Sequence, residues 1–168
     1  MPNGDALLGW TEPSSEAGKV TAHTMRFDAR RQEWAGAQTV GTDTSWSFPG
    51  RAALMVDSSG RAVWLSGVGV PGASPLTAWH SAPGDATWHP VALPLPSAGR
   101  LSHGVRDIGI DAQGNALVIW VESDAENATT TPRVQGQLMT ARCAAGTRTW
   151  TVRAVPLDQF QEPAALVL

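Results

Sequence analysis

Apolar and polar positions alternate along this chain in short bursts, not in helical periods. The stretch "ALMVDSSGRAVWLS" (53–66) is two apolar runs around a polar turn. Similar bursts of five to nine residues recur along the chain, rich in Val, Leu, Thr and Trp and bounded by Gly, Pro, Asp, Asn and Ser. Such runs predict strands. No helical periodicity persists over the length a helix needs, and twelve prolines count further against helices.

The bursts repeat. "NGDALLGW" (3–10), "SGRAVWLS" (59–66) and "QGNALVIW" (113–120) align, with Gly4, Gly60 and Gly114 spaced 56 and 54 residues apart. A second phrase follows each in turn: "QEWAGAQTV" (32–40), "ATWHPVALP" (86–94) and "RTWTVRAVP" (148–156). Its tryptophans, Trp34, Trp88 and Trp150, are 54 and 62 apart, and the insertion "SDAENATTTP" (123–132) accounts for the longer step. Between them lie "KVTAHTM", "PLTAWHS" and "RVQGQLM", an alignment that puts His23 and Trp79 at one repeat position. Three phrases in a fixed order mark a repeat architecture. In the second repeat the expected strands are A (51–56), B (61–67), C (75–82) and D (87–93).

Four antiparallel strands per repeat of roughly 50 residues is the blade of a β-propeller. The expected fold is therefore all-β, one domain over residues 1–168, with repeats at about 1–48, 49–102 and 103–168. The first repeat lacks an A strand. The last residues, "ALVL" (165–168), carry the A-strand phrase, so strand 164–168 is expected to complete the first blade. That pairing would satisfy two rows of otherwise open backbone groups. A ring needs about four to eight blades. Two copies meeting head to tail would make six, with Ala165 to Leu168 of one beside Asp5 to Thr11 of the other. The alternative is a piece of a longer propeller.

"DAQGNALVIW" (111–120), with Asp111, Gly114, Asn115, Ala116 and Trp120, and its counterpart Asp57, Gly60 and Ala62, resembles the repeats of bacterial sialidase-superfamily propellers. Trp34, Trp88 and Trp150 match the tryptophan before the outer strand of those Asp-box-related repeats. The resemblance implies a propeller fold and a secreted or cell-surface bacterial setting. It also departs from the family: "APGDATW" (82–88) and "CAAGTRTW" (143–150) keep Gly and Trp but not the Ser and Asp of an Asp-box.

The chain contains no Tyr, so the sialidase nucleophile has no counterpart here. A general glycosidase plan needs a carboxylate pair. The spacing of Asp43, Asp107, Asp124, Glu126 and Asp158 selects none, and they read as solvated loop acids. No catalytic residue, cofactor or metal site is expected: His23, His80, His89 and His103 are dispersed, and Cys143 is the one cysteine. With formal charge −3 and 12 scattered basic residues, no nucleic-acid partner is expected. No apolar run is long enough to cross a bilayer.

Trp10, Trp34, Trp88, Trp120 and Trp150 recur at fixed phase and are expected to pack between blades. Trp46, in the D–A connection "GTDTSWSFPG" (41–50), does not recur. With Arg100, His103, Arg106, Asp107, Asp124 and Glu126 it forms the candidate ligand face, a mixed polar rim suited to a glycan or protein. The expected function is a non-catalytic binding or scaffold module. The alternatives are a sialidase-like glycoside hydrolase with its site at the ring centre, and a purely structural propeller fragment.

Overall fold

The computed structural model describes residues 4–43, 54–66, 76–93, 100–124 and 136–155. These residues form strands and turns and no helix. The strands make three four-stranded antiparallel sheets, in chain order. Sheet 1 contains β1 (Ala6–Pro13), β2 (Val20–Asp28), β3 (Glu33–Trp34) and β4 (Gln38–Asp43). Sheet 2 contains β5 (Leu54–Val56), β6 (Ala62–Ser66), β7 (Thr77–Ser81) and β8 (His89–Ala92). Sheet 3 contains β9 (Arg100–Ile110), β10 (Ala116–Asp124), β11 (Gly136–Cys143) and β12 (Trp150–Ala154).

Sheets 2 and 3 run β5-β6-β7-β8 and β9-β10-β11-β12 across their width, the expected A to D order. In sheet 1, β1 and β2 supply B and C. The fourth strand is split, with β3 and β4 each pairing β2. The break at 35–37 is bridged by one ladder bond, Ala35 N–H to the Arg26 carbonyl (2.8 Å). Among the described residues β1 pairs only β2. The expected closing strand, 164–168, lies outside the described residues.

Strand register corrects the alignment of the third phrase. Trp10 lies opposite His23, Ser66 opposite Thr77, and Trp120 opposite Met139. His23 therefore shares its repeat position with Thr77 and Met139, while Trp79 shares its own with Met25 and Ala141. The phrases misled because the loop between strands B and C differs in length from repeat to repeat. The C–D hairpins keep one length, so the 54 and 62 spacing of the tryptophans reports the true register.

The A–B turns form for local reasons. Asp57 Oδ1 accepts the backbone N–H groups of Ser59 (2.8 Å) and Arg61 (3.0 Å). Asp111 Oδ1 accepts those of Gln113 (3.0 Å) and Asn115 (2.8 Å). The turn glycines, Gly60 (φ 90°) and Gly114 (φ 82°), occupy the left-handed region that the tight reversal requires.

The sheets pack face against face. Side chains alternate across a strand, so β1 turns Leu7 and Gly9 toward sheet 2 and Leu8 and Trp10 the other way. Gly9 admits sheet 2 closely: a Cβ there would stand 2.6 Å from Leu54 Cδ2 and 3.0 Å from the Trp64 ring. The ring of Trp79 lies flush against Gly41 in the same manner. Between sheets 2 and 3 the core is Val63, Leu65 and Ala78 on one side and Val118, Trp120 and Met139 on the other, all buried. The strands β5 and β9 come into contact at one edge of that junction.

Trp64, not Trp10, is thus the large ring closing the first junction, and Ser66 stands where the other repeats have Trp because Trp79 occupies the space. Trp79 Nε1 donates to Ser66 Oγ (2.8 Å), and Ser66 Oγ donates to Asp43 Oδ2 (2.6 Å). Asp43 is therefore a strand-end acceptor in an inter-sheet network, not a solvated loop acid. With its indole fixed by that bond, Trp79 has no room to yield to a side chain at position 41. Gly41→Ala is expected to destabilise the fold by about 1–3 kcal/mol, the usual cost of overpacking, read from the midpoint of urea unfolding with an unchanged slope.

Candidate functional site

Two hairpin ends and one turn converge between sheets 1 and 2 to form an open cleft of about 360 Å³. The β2–β3 turn contributes Asp28, Arg31 and Glu33, the strand end contributes Arg26, and Asp5 leads into β1. The opposite wall is Ser58–Gly60 and Pro83–Gly84, in two turns of sheet 2. The β2–β3 turn is built by Asp28, whose Oδ1 accepts the backbone N–H groups of Arg30 (2.9 Å) and Arg31 (3.1 Å). Asp5 Oδ1 accepts the N–H of Ala29 (2.9 Å) and pins this turn to the start of β1. Sheet 3 repeats the lock: Asn115 Oδ1 accepts the N–H of Ala145 (3.0 Å) at the equivalent position.

Arg26 is the charged group that the fold holds back from water. Its Nη2 donates to Ser81 Oγ across the junction (3.3 Å), while Nε is buried with no acceptor. Burial lowers the guanidinium pKa, and the charge of Asp5 opposes that shift. The cleft therefore offers two guanidinium groups, of Arg26 and Arg31, beside Asp5 and Asp28, whose carboxylates are engaged as acceptors of backbone N–H groups. Such a surface is suited to holding a polar partner by hydrogen bonds.

The candidate rim residues are spread along sheet 3. Arg100 and Asp124 are register partners at the open end of the β9–β10 pair. His103 and Arg106 lie further along β9, and Arg106 falls where the pairing shifts register between Ile119 and Trp120. Asp107 is opposite Ile119 in mid-strand, and its Oδ1 accepts the N–H of Ile108 (2.9 Å). Trp46 and Glu126 lie outside the described residues. The cleft sits at the opposite end of the sheets from Arg100 and Asp124. Its signal in the sequence was the cluster Arg26, Arg30 and Arg31, the densest basic grouping of the chain.

Sequence reasoning also missed the polar groups placed between sheets. Glu122 is buried beside Trp120, whose Nε1 donates to Glu122 Oε1 (2.8 Å). The readable signal was Trp-x-Glu, present at Trp10–Glu12 and again at Trp120–Glu122. The indoles of the outer strands make the junction contacts themselves. Trp88 Nε1 donates to Thr24 Oγ1 of sheet 1 (3.1 Å), and Trp150 Nε1 donates to His80 Nε2 of sheet 2 (3.0 Å). Each indole thus reaches the C strand of the sheet before it, β2 for Trp88 and β7 for Trp150. Among the described residues no group of three or more His, Cys, Asp or Glu could hold a metal ion. Comparison of the chain with protein-family models, with curated proteins and with solved structures finds no match.

His80 makes the second junction sensitive to pH. Accepting the Trp150 N–H at Nε2 requires the neutral ring with its proton on Nδ1. Burial, and then the nearby charges of Arg148, Arg61 and His89, lower its pKa to about 4. Between that value and the ordinary 6.5 the unfolded chain takes up a proton that the folded chain refuses. Stability is therefore whole above pH 6.5 and declines as pH falls toward 4. The expected loss is on the order of 2 kcal/mol, below the full linkage value because part of the charge stays screened by solvent. Chemical unfolding of wild type and His80→Gln across this range checks it. The Gln variant keeps an acceptor for Trp150 but has nothing to titrate, so its stability should vary much less over the same window.

Proposed function

We propose that this chain is a non-catalytic binding module of the β-propeller type, its three sheets being consecutive blades. The observation that carries the reading is the repeated junction. At both interfaces the outer-strand indole of one sheet bonds the C strand of the sheet before it, at acceptors two residues apart by register. A repeated rotation from sheet to sheet generates a ring, and the contact of β5 with β9 supports placing the first strands innermost. On this reading three blades per chain close to six when two copies meet head to tail, and strand 164–168 belongs to that closure. The resemblance of the Asp-x-x-Gly turns to sialidase-superfamily repeats fits the same architecture, without its chemistry.

The binding surface of the described residues is the cleft of Arg26, Asp28 and Arg31. Guanidinium groups beside carboxylates that the backbone braces recognise hydroxyls, amides and carboxylates by directed hydrogen bonds. Glycans and polar peptide segments both carry those groups. The innermost strand β9 offers Asp107, already an acceptor of a backbone N–H, and this supports binding over hydrolysis.

The test is a panel of glycans and short peptides presented to the purified protein, alongside Arg26→Ala and Arg31→Ala. Binding of at least one class is expected, weakened about tenfold or more by either substitution, in line with the loss of a charge-assisted bond. Hydrolysis of aryl glycosides above the buffer rate would contradict the reading. So would binding that both substitutions leave unchanged.

A further inference from the structure

The two internal junctions show what covers the leading face of a sheet, and sheet 1 carries that face uncovered. In sheet 2 the face is built on Trp64 (1% exposed) and Trp88 (6%). In sheet 3 it is built on Val118 (0%) and Trp150 (6%). The equivalent residues of sheet 1 by strand register are Leu8 and Trp34, and both are 49% exposed. Around them lie Trp10, stacked on His23 at 5.5 Å, and Phe27, tilted against Trp34 at 5.2 Å. An aromatic and aliphatic face of this kind is not ordinary solvent-facing surface.

The trailing face of sheet 3 is the matching half. Its strands β10 and β11 turn Val118, Trp120, Met139 and Ala141 toward sheet 2, all buried. Alternation then places Leu117, Ile119, Leu138 and Thr140 on the opposite side, where each is only partly buried. The corresponding positions of sheet 2, Val63, Leu65, Leu76 and Ala78, are covered by sheet 3. The hydrogen-bonding position of the first junction matches as well, whereas the second junction uses His80, whose register equivalent in sheet 3 is Arg142. Trp88 donates to Thr24, which lies opposite Gly9. The register equivalent of Thr24 in sheet 3 is Thr140, opposite Ile119. Its hydroxyl donates to the Arg153 carbonyl (3.3 Å) and keeps lone pairs with which to accept.

We infer that the Leu8–Trp34 face of sheet 1 is an interaction surface for a second copy of this chain, and that it takes the Leu117–Thr140 face of that copy's sheet 3. Trp34 Nε1 donates to Thr140 Oγ1 of the second copy, reproducing the bond from Trp88 to Thr24. The inference rests on the reading of the sheets as consecutive blades and adds the surface by which they continue between chains. The contact is head to tail, so each copy offers one face of each kind and two copies satisfy all four.

The experiment is solution mass by light scattering, on wild type, Trp34→Arg, Leu138→Arg and an equimolar mixture of the two variants. Wild type is expected at twice the 17.7 kDa chain mass. Each variant alone is expected at one chain mass with an unchanged strand signal in circular dichroism. The mixture regains a two-chain species, because one intact leading face meets one intact trailing face. Trp34→Phe, which keeps the ring and loses only the donor, is expected to weaken association about five- to tenfold, as loss of one buried hydrogen bond does. A one-chain mass for wild type overturns the inference, and so does a two-chain mass that both Arg variants retain. Either result would also overturn closure to six blades by two copies, but not the reading of the three sheets as consecutive blades, which stands or falls separately on whether Trp88→Phe destabilises the single chain.

Discussion

Covering both faces of each sheet is the constraint on which this molecule depends. A four-stranded sheet that is apolar on one face only needs one partner. Here sheet 2 is apolar on both: Trp64 and Trp88 point one way, Val63 and Leu65 the other, and all four are buried. It is stable only between two neighbours. Sheet 1 covers one side and sheet 3 the other. Two of the indole donors that such burial would strand are satisfied across the junctions, Trp88 on Thr24 and Trp150 on His80. A desolvated donor left without an acceptor costs about 1–3 kcal/mol, so the acceptor on the preceding sheet is part of what lets these two rings be buried.

The same constraint explains the small residues. Gly9 and Gly41 stand where large rings of sheet 2 must approach sheet 1 closely, and a β-carbon at either would force Trp64 or Trp79 away. Large and small positions are thus complementary between successive sheets rather than within one. That is why Ser66 is compatible with a repeat whose other members carry Trp at the same position. The ring is supplied from the neighbouring strand by Trp79, anchored on the Ser66 hydroxyl.

Much of this was legible in the sequence. The strand bursts, their turns and the order B-C-D, A-B-C-D, A-B-C-D follow from local patterning, and local patterning is what sets hairpins. The recurrence of Trp34, Trp88 and Trp150 announced a repeated contact, though not its acceptors, which are 64 and 70 residues away from Trp88 and Trp150. The interrupted fourth strand of sheet 1 was not legible, because "AGAQTV" reads as continuous with the strand before it. Nor was the third-phrase alignment, since loops of unequal length let similar strands match out of register. The cleft is a product of three separate turns brought together by stacking. Only its arginines left a trace in the chain, and of the expected rim Trp46 and Glu126 fall outside the described residues.

That the outer-strand indoles bind each sheet to its predecessor is tested most directly by hydrogen exchange of the tryptophan side-chain N–H groups, resolved by NMR and assigned by single Trp→Phe substitutions. The indole protons of Trp88 and Trp150 should exchange slowly, close to the rate of the sheet core, because both are buried and donating. The Trp34 indole should exchange fast in dilute solution and become protected as concentration rises. If Trp88 and Trp150 exchange as fast as a free indole while the backbone amides of β6 and β10 stay protected, the sheets exist but are not joined in this way.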